Sequence, residues 1–231
     1  MADAHGSKPL AGAGQNRPLQ QTKRTSFLEK EIAFFDLPLN LKSRILILAA
    51  VLVLALTFFF PLWNMSFTSN QYTDGLTLQI YSYKLEGGKT PNRDDLREIN
   101  SLNHYIGMRP LLESDFSEFN WVPLVIGFLM ILALRAMVIG KMSNLVDVFV
   151  IFVYFGLFSL WSFYHRLYIY GHNLSPEASI KVQPFTPPLF GVEEIANFSV
   201  SSLPDTGSYA FFAFSIILLA AIFWSRRPAA D

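Results

Sequence analysis

Four blocks of apolar residues constrain this chain more than any other feature: Ile45–Trp63, Trp121–Ile139, Leu145–Phe163 and Tyr209–Trp224. At a rise of 1.5 Å per residue, a run of roughly 19 residues covers the ~30 Å hydrocarbon core of a bilayer. Each block therefore predicts a transmembrane helix. Composition agrees, with 52% hydrophobic residues, 16% charged residues and 22 Phe in 231 positions. The expected fold class is an all-α integral membrane protein with four transmembrane helices and two extracytoplasmic loops. The first of these loops is expected to hold a short strand and a helix.

Residues 1–25 are polar and lack the apolar core of a signal peptide, so a disordered cytoplasmic tail and a retained first span are expected. Ser26 and Glu29 fit a capping box, and Leu28, Ile32 and Phe35 fall on one helical face. Residues 26–37 are thus expected to form an amphipathic helix lying on the membrane surface, ended by Pro38.

Basic residues set the orientation. Lys23, Arg24, Lys30, Lys42 and Arg44 precede span one, Lys141 sits in the link between spans two and three, and Arg226 and Arg227 follow span four. By the positive-inside rule these segments are cytoplasmic, giving N-in and C-in topology. Loop 64–119 and loop 164–207 then lie outside, their basic residues diluted by acidic ones.

Within the first loop, Leu76, Leu78 and Ile80 alternate with polar residues, a strand pattern. Thr90-Pro91 is a helix-start signal; Leu96, Ile99, Leu102 and Ile106 follow at helical spacing, and Gly107 is the expected C-cap. Trp63 is expected to anchor at the interface, and Pro184 to Pro188 form a stiff segment unsuited to a central strand. Arg135 and Asp147 flank the tight link 140–144 at similar depth, so they are expected to pair or to snorkel together.

The chain has no Cys, which excludes disulfides, thiolate metal sites, Cys-ligated iron–sulfur clusters and covalent c-type haem. With 18 basic and 18 acidic residues there is no basic field for nucleic acid, and no Walker A sequence for a nucleotide. No nucleophile elbow or zinc-protease motif is present, and no acid/base set is singled out by spacing, so the chain is not assigned an enzymatic role.

The candidate chemistry is metal binding by His104, Met108, His165 and His172, all on the outer side. Asn100 and His104 share a helical face, which Met108 joins if the helix continues one turn. Imidazole with thioether suits copper, Cu(I) above all. A turn position is expected for His172, and an interfacial one for His165. The alternative for each is a polar surface histidine.

The run from Ile99 through Asn103-His104-Tyr105-Ile106-Gly107-Met108 resembles a loop of small polytopic membrane proteins encoded beside nitrous-oxide reductases and other periplasmic copper enzymes. Tyr170-Gly171-His172-Asn173-Leu174-Ser175-Pro176, continuing into Pro184-Phe185-Thr186-Pro187-Pro188 and Ile195-Ala196-Asn197-Phe198, resembles the matching second loop. That resemblance implies an accessory role in copper handling or enzyme maturation, with His104 and Met108 at the matching positions. Two further readings stay open. One is a structural accessory subunit with a membrane or periplasmic partner, its small residues allowing close helix contacts. The other is an enzyme acting on lipid or quinone.

Overall fold

A computed structural model describes residues 29–195 and 197–226. The expected tail and the first turn of the expected surface helix lie outside these residues. Residues 29–35 are helical (α1). Ile32 and Phe35 are exposed on it, while Phe34 packs onto the helical core beneath the Arg226 guanidinium, 4.4 Å from its ring. The helices α2 (Leu41–Ala55), α3 (Asp95–Tyr105), α4 (Glu118–Ile139), α5 (Met142–His172) and α6 (Thr206–Ser225) follow. A 3-10 turn, Leu56–Phe58, extends α2, and four helices, all but α1 and the short α3, are long and apolar enough to cross a membrane.

The chain is not all-α. Strands β1 (Trp63–Thr68), β2 (Leu76–Ile80), β3 (Leu85–Gly87), β6 (Gly191–Ile195) and β7 (Phe198–Pro204) form one antiparallel sheet in the order β3-β2-β1-β7-β6. The short pair β4 (Lys89–Thr90) and β5 (Arg93–Asp94) stands apart. The two loops are therefore one structure, joined where Trp63 to Thr68 pairs with Pro204 to Ser199. Local alternation exposed β2 alone. Strand β1 is hidden because its Trp63 closes an apolar run, and β7 because its fully buried Ser202 breaks the apolar alternation.

Span one stops at Phe58 and the chain turns through Pro61 into β1, so Trp63 is a buried strand residue and not an interface anchor. Pro91 sits in the β4–β5 turn. The helix begins four residues later, where the Asp94 carboxylate accepts from Leu96 N–H at 3.1 Å and Arg97 N–H at 3.4 Å. The apolar run of span three ends at Phe163, but α5 continues to His172 because nothing after it breaks a helix until Asn173.

Helices α2 and α6 make the most extensive contact in the bundle. It is clipped at both ends. At one end Ser43 Oγ donates to the Ala221 carbonyl at 2.8 Å, Ser225 Oγ donates to Ser43 Oγ at 2.7 Å, and Asn40 Nδ2 donates to the Trp224 carbonyl at 3.1 Å. At the sheet end the Pro61 carbonyl accepts from Gly207 N–H at 2.8 Å, and the Leu62 carbonyl from Asp205 N–H and Ser208 Oγ. A Cβ on Gly207 would come within 2.8 Å of the Phe60 and Pro61 carbonyl oxygens, so only glycine admits this approach. The α4–α5 hairpin turns at Gly140, φ +71°, and its tip is stitched to the α1–α2 link by Leu39 N–H to the Gly140 carbonyl (2.7 Å) and Met142 N–H to the Leu37 carbonyl (3.0 Å).

Candidate functional site

Of the candidate residues, His104 and Met108 flank one corner where α3 ends. Gly107 adopts φ +79° and closes a Schellman motif: Met108 N–H donates to the Asn103 carbonyl at 2.8 Å, and Gly107 N–H to the His104 carbonyl at 3.2 Å. The helix therefore stops before Met108, and the extra turn that would bring Met108 onto the face of His104 does not form. Asn100 is occupied as well. Its Oδ1 accepts from Leu111 N–H at 2.7 Å and its Nδ2 donates to the Leu111 carbonyl, which folds the chain back after the cap.

This corner docks directly on the second loop. The Gly107 carbonyl accepts from Ser175 N–H at 2.8 Å and the Tyr105 carbonyl from Ile180 N–H at 2.9 Å. A Cβ on Gly107 would sit 2.8 Å from Ala178 Cβ. Gly171 is equally constrained, because a Cβ there would collide with the Phe185 carbonyl while Phe185 N–H donates to the Gly171 carbonyl at 3.1 Å. The two sequence words that carry the resemblance are thus in contact with each other through Gly107 and Ser175, while Gly171 packs the second word against its own continuation at Phe185.

The histidines are placed differently. His104 is exposed on the last turn of α3, its ring 6.3 Å from that of Tyr105. His165 lies flat against Trp161, ring centroids 5.5 Å apart and planes 2° apart, on an exposed face of α5. His172 is the last residue of α5, not a turn residue, and stacks on Tyr168 at 3.8 Å. Its Nδ1 lies 3.0 Å from the Tyr168 carbonyl oxygen. A carbonyl only accepts, so Nδ1 carries the proton, and in the neutral ring Nε2 presents the lone pair. Among the described residues no group of three or more His, Asp or Glu side chains is arranged to hold a metal ion.

A second polar cluster, which sequence reasoning missed, lies where α4 and α5 meet the sheet end. Glu118 accepts from Arg166 at 2.8 and 3.1 Å and from Ser162 Oγ at 2.8 Å, with the pair about one-fifth exposed. Arg166 also lies 5.3 Å from the centre of the Phe116 ring, which stacks on buried Tyr170 at 5.8 Å. Glu118 stood in the sequence as one of several acidic loop residues. The usable signal was its position as the last charged residue before an apolar run, where an unpaired carboxylate is costly. The Tyr170 hydroxyl is buried with no hydrogen-bond partner among the described residues.

At the hairpin end, Arg135 and Asp147 make no ion pair with each other or with any other described residue. Both are exposed, on opposite helices of a cleft of about 290 Å³. On the sheet, Tyr72 Oη donates to Glu98 at 2.9 Å, and this bond holds the phenol above the ordinary tyrosine value. Lys84 sits 2.7 Å from Glu86 and draws that carboxyl below its usual range.

Comparison with known protein families, curated proteins and solved structures gave no match.

Proposed function

We propose that this chain is an accessory subunit of a bacterial inner membrane assembly, N-in and C-in, holding a rigid extracytoplasmic platform for a membrane or periplasmic partner. One observation carries the reading: both loops are spent on a single five-stranded sheet anchored in the bundle, and its last strand, β6, has an open edge. Val192, Glu193 and Glu194 of β6 are exposed. An open strand edge can take up a partner's strand, and the Glu193–Glu194 carboxylates restrict it to a strand that carries basic residues. Support for the orientation comes from the opposite end of the bundle, where Arg44, Lys141 and Arg226 cluster around the hairpin tip and α1.

The test is a photo-crosslinking residue at position 192, activated in native membranes. A discrete adduct with one partner is expected, together with migration well above the 26.2 kDa of the single chain after gentle solubilisation. A chain that runs alone and gives no adduct overturns the reading.

Copper handling is the second reading, favoured by the fixed tautomer of His172. Metal-bound histidines generally hold their second nitrogen in such a bond. The docked corner brings the segment bearing His104 and Met108 against the chain that follows His172, with His165 two turns back on α5. Copper content after loading under reducing conditions tests it. Near-stoichiometric copper lost in His104→Ala and in His172→Ala is expected, whereas a wild-type protein that retains none leaves the platform reading alone.

A further inference from the structure

The cleft between α4 and α5 at the hairpin end has a composition that an ordinary lipid-facing groove lacks. Its apolar wall is Leu132, Val150 and Ile151, and its polar groups are Arg135, Asn144 and Asp147. Arg135 comes five residues before Gly140, and Asp147 six after Lys141. At 1.5 Å per residue, both Cα atoms lie about 8 Å in from the tip of the hairpin. The polar headgroup zone occupies the outer several ångströms of each leaflet, so this depth is the boundary between headgroup and hydrocarbon.

Two opposite charges at one level on neighbouring helices would ordinarily form an ion pair. Here a cleft separates them, and neither finds another partner among the described residues. We propose that the cleft binds the headgroup of a zwitterionic phospholipid carrying a primary ammonium, phosphatidylethanolamine. Arg135 takes the phosphate, since a guanidinium offers paired donors to two phosphate oxygens. Asp147 takes the ammonium, and the Asn144 amide adds a donor to the phosphate or ester oxygens. The apolar wall receives the start of an acyl chain.

The charge pattern selects among lipids. An anionic headgroup without a cation satisfies Arg135 but meets repulsion from Asp147. A choline headgroup has the right charges, yet its quaternary nitrogen has no N–H to donate to the carboxylate. The ethanolamine headgroup alone of the three satisfies both poles by hydrogen bonds.

The full chain, reconstituted in nanodiscs of equal parts phosphatidylethanolamine, phosphatidylcholine and phosphatidylglycerol and released into mild detergent, would be read by native mass spectrometry for retained lipid. One bound phosphatidylethanolamine is expected, favoured about tenfold over phosphatidylcholine, the ratio that one charge-assisted hydrogen bond confers. Asp147→Asn, close in shape to the wild type, should bring that ratio near one while lipid is still retained. Arg135→Gln should lose retention of all three. Lys141→Gln, outside the cleft, should change nothing. Melting temperatures of the variants in detergent, close to wild type, show that each is folded. Equal retention of the three lipids by the wild type, preference for phosphatidylglycerol, or no retained lipid would each overturn the proposal.

Discussion

Trp63 and Ser202 stand 139 positions apart, yet the Trp63 indole Nε1 donates a 2.8 Å hydrogen bond to the Ser202 hydroxyl. Ser202 in turn donates to the Leu189 carbonyl at 3.1 Å. The indole ring meets Phe163 of α5 and Phe190 edge-on at 5.2 and 5.0 Å. One aromatic residue thus ties β1 to the neighbouring strand β7, which comes late in the chain, and to the third long apolar helix. Ser202→Ala leaves the buried indole N–H without an acceptor, which costs about 1–3 kcal/mol. Adding Trp63→Phe removes the orphaned donor, so the hydrogen-bond penalty in the double variant is smaller than the sum of the two single changes. Thermal unfolding of the four proteins in one detergent, compared as a double-mutant cycle, measures the coupling.

The docked corner depends on glycine. Gly107→Ala puts a side chain into left-handed backbone, about 1–2 kcal/mol unfavourable by itself, and drives its Cβ against Ala178 and Ser175. Hydrogen exchange should accelerate at Ser175 and Ile180, whose amides bond to the corner. Gly156→Ala is the control: a Cβ there meets nothing within 4 Å, and exchange at the corner should stay as in the wild type.

Arg166 and Glu118 should show the asymmetry of a half-buried pair. Arg166→Met strands the carboxylate at the membrane boundary, an effect on the order of 2–3 kcal/mol for a lost charge-assisted bond. Combining it with Glu118→Gln, which also keeps a hydrogen-bonding group for Ser162, should recover part of the loss. A Glu118→Gln change that lowers the melting temperature as much with Met at position 166 as with Arg would show that the pair is not coupled.

The Tyr72–Glu98 bond gives the sheet an alkaline dependence. Glu98 holds the Tyr72 phenol above its ordinary value, so the folded state keeps this proton longer than the unfolded chain. The stabilisation is complete below the unfolded tyrosine value and is lost as pH rises through the folded one. Ultraviolet titration should show one late-ionising tyrosine fewer in Tyr72→Phe, and in Glu98→Gln that ionisation should move down toward the ordinary value.

How far the sequence could be read follows from the range of each interaction. Bilayer thickness dictates the length of an apolar run, so the four long apolar helices are visible in the sequence, although the ends of the first and third differ from the apolar blocks. Strand β2 is visible because Leu76, Leu78 and Ile80 alternate within it. Strands β1 and β7 find each other across the bundle, and no local pattern reports such pairing. Trp63, Met65 and Phe67 do alternate with Asn64, Ser66 and Thr68, but the apolar block before them masks the change of period. At the corner, Gly107 announced the end of α3, and that end is what keeps Met108 off the face of His104. The Glu118–Arg166 pair was obscure for a different reason, since Arg166 lies beyond the apolar block on a helix whose continuation the block does not mark.

The position of β7 in the chain also sets the order of events during synthesis. The first loop can form β1, β2 and β3 as soon as span one has crossed, but the other flank of β1 stays open until Phe198–Pro204 has emerged. Three long apolar helices must be made before that flank is covered, and β7 is followed at once by the fourth. A ribosome that stalls after the third of these helices releases a product in which one flank of β1 is bare, a form prone to capture by another chain. Closure of the sheet around β1 is therefore a late step of assembly, and it turns the strand most exposed in the unfinished chain into the central strand of the finished one.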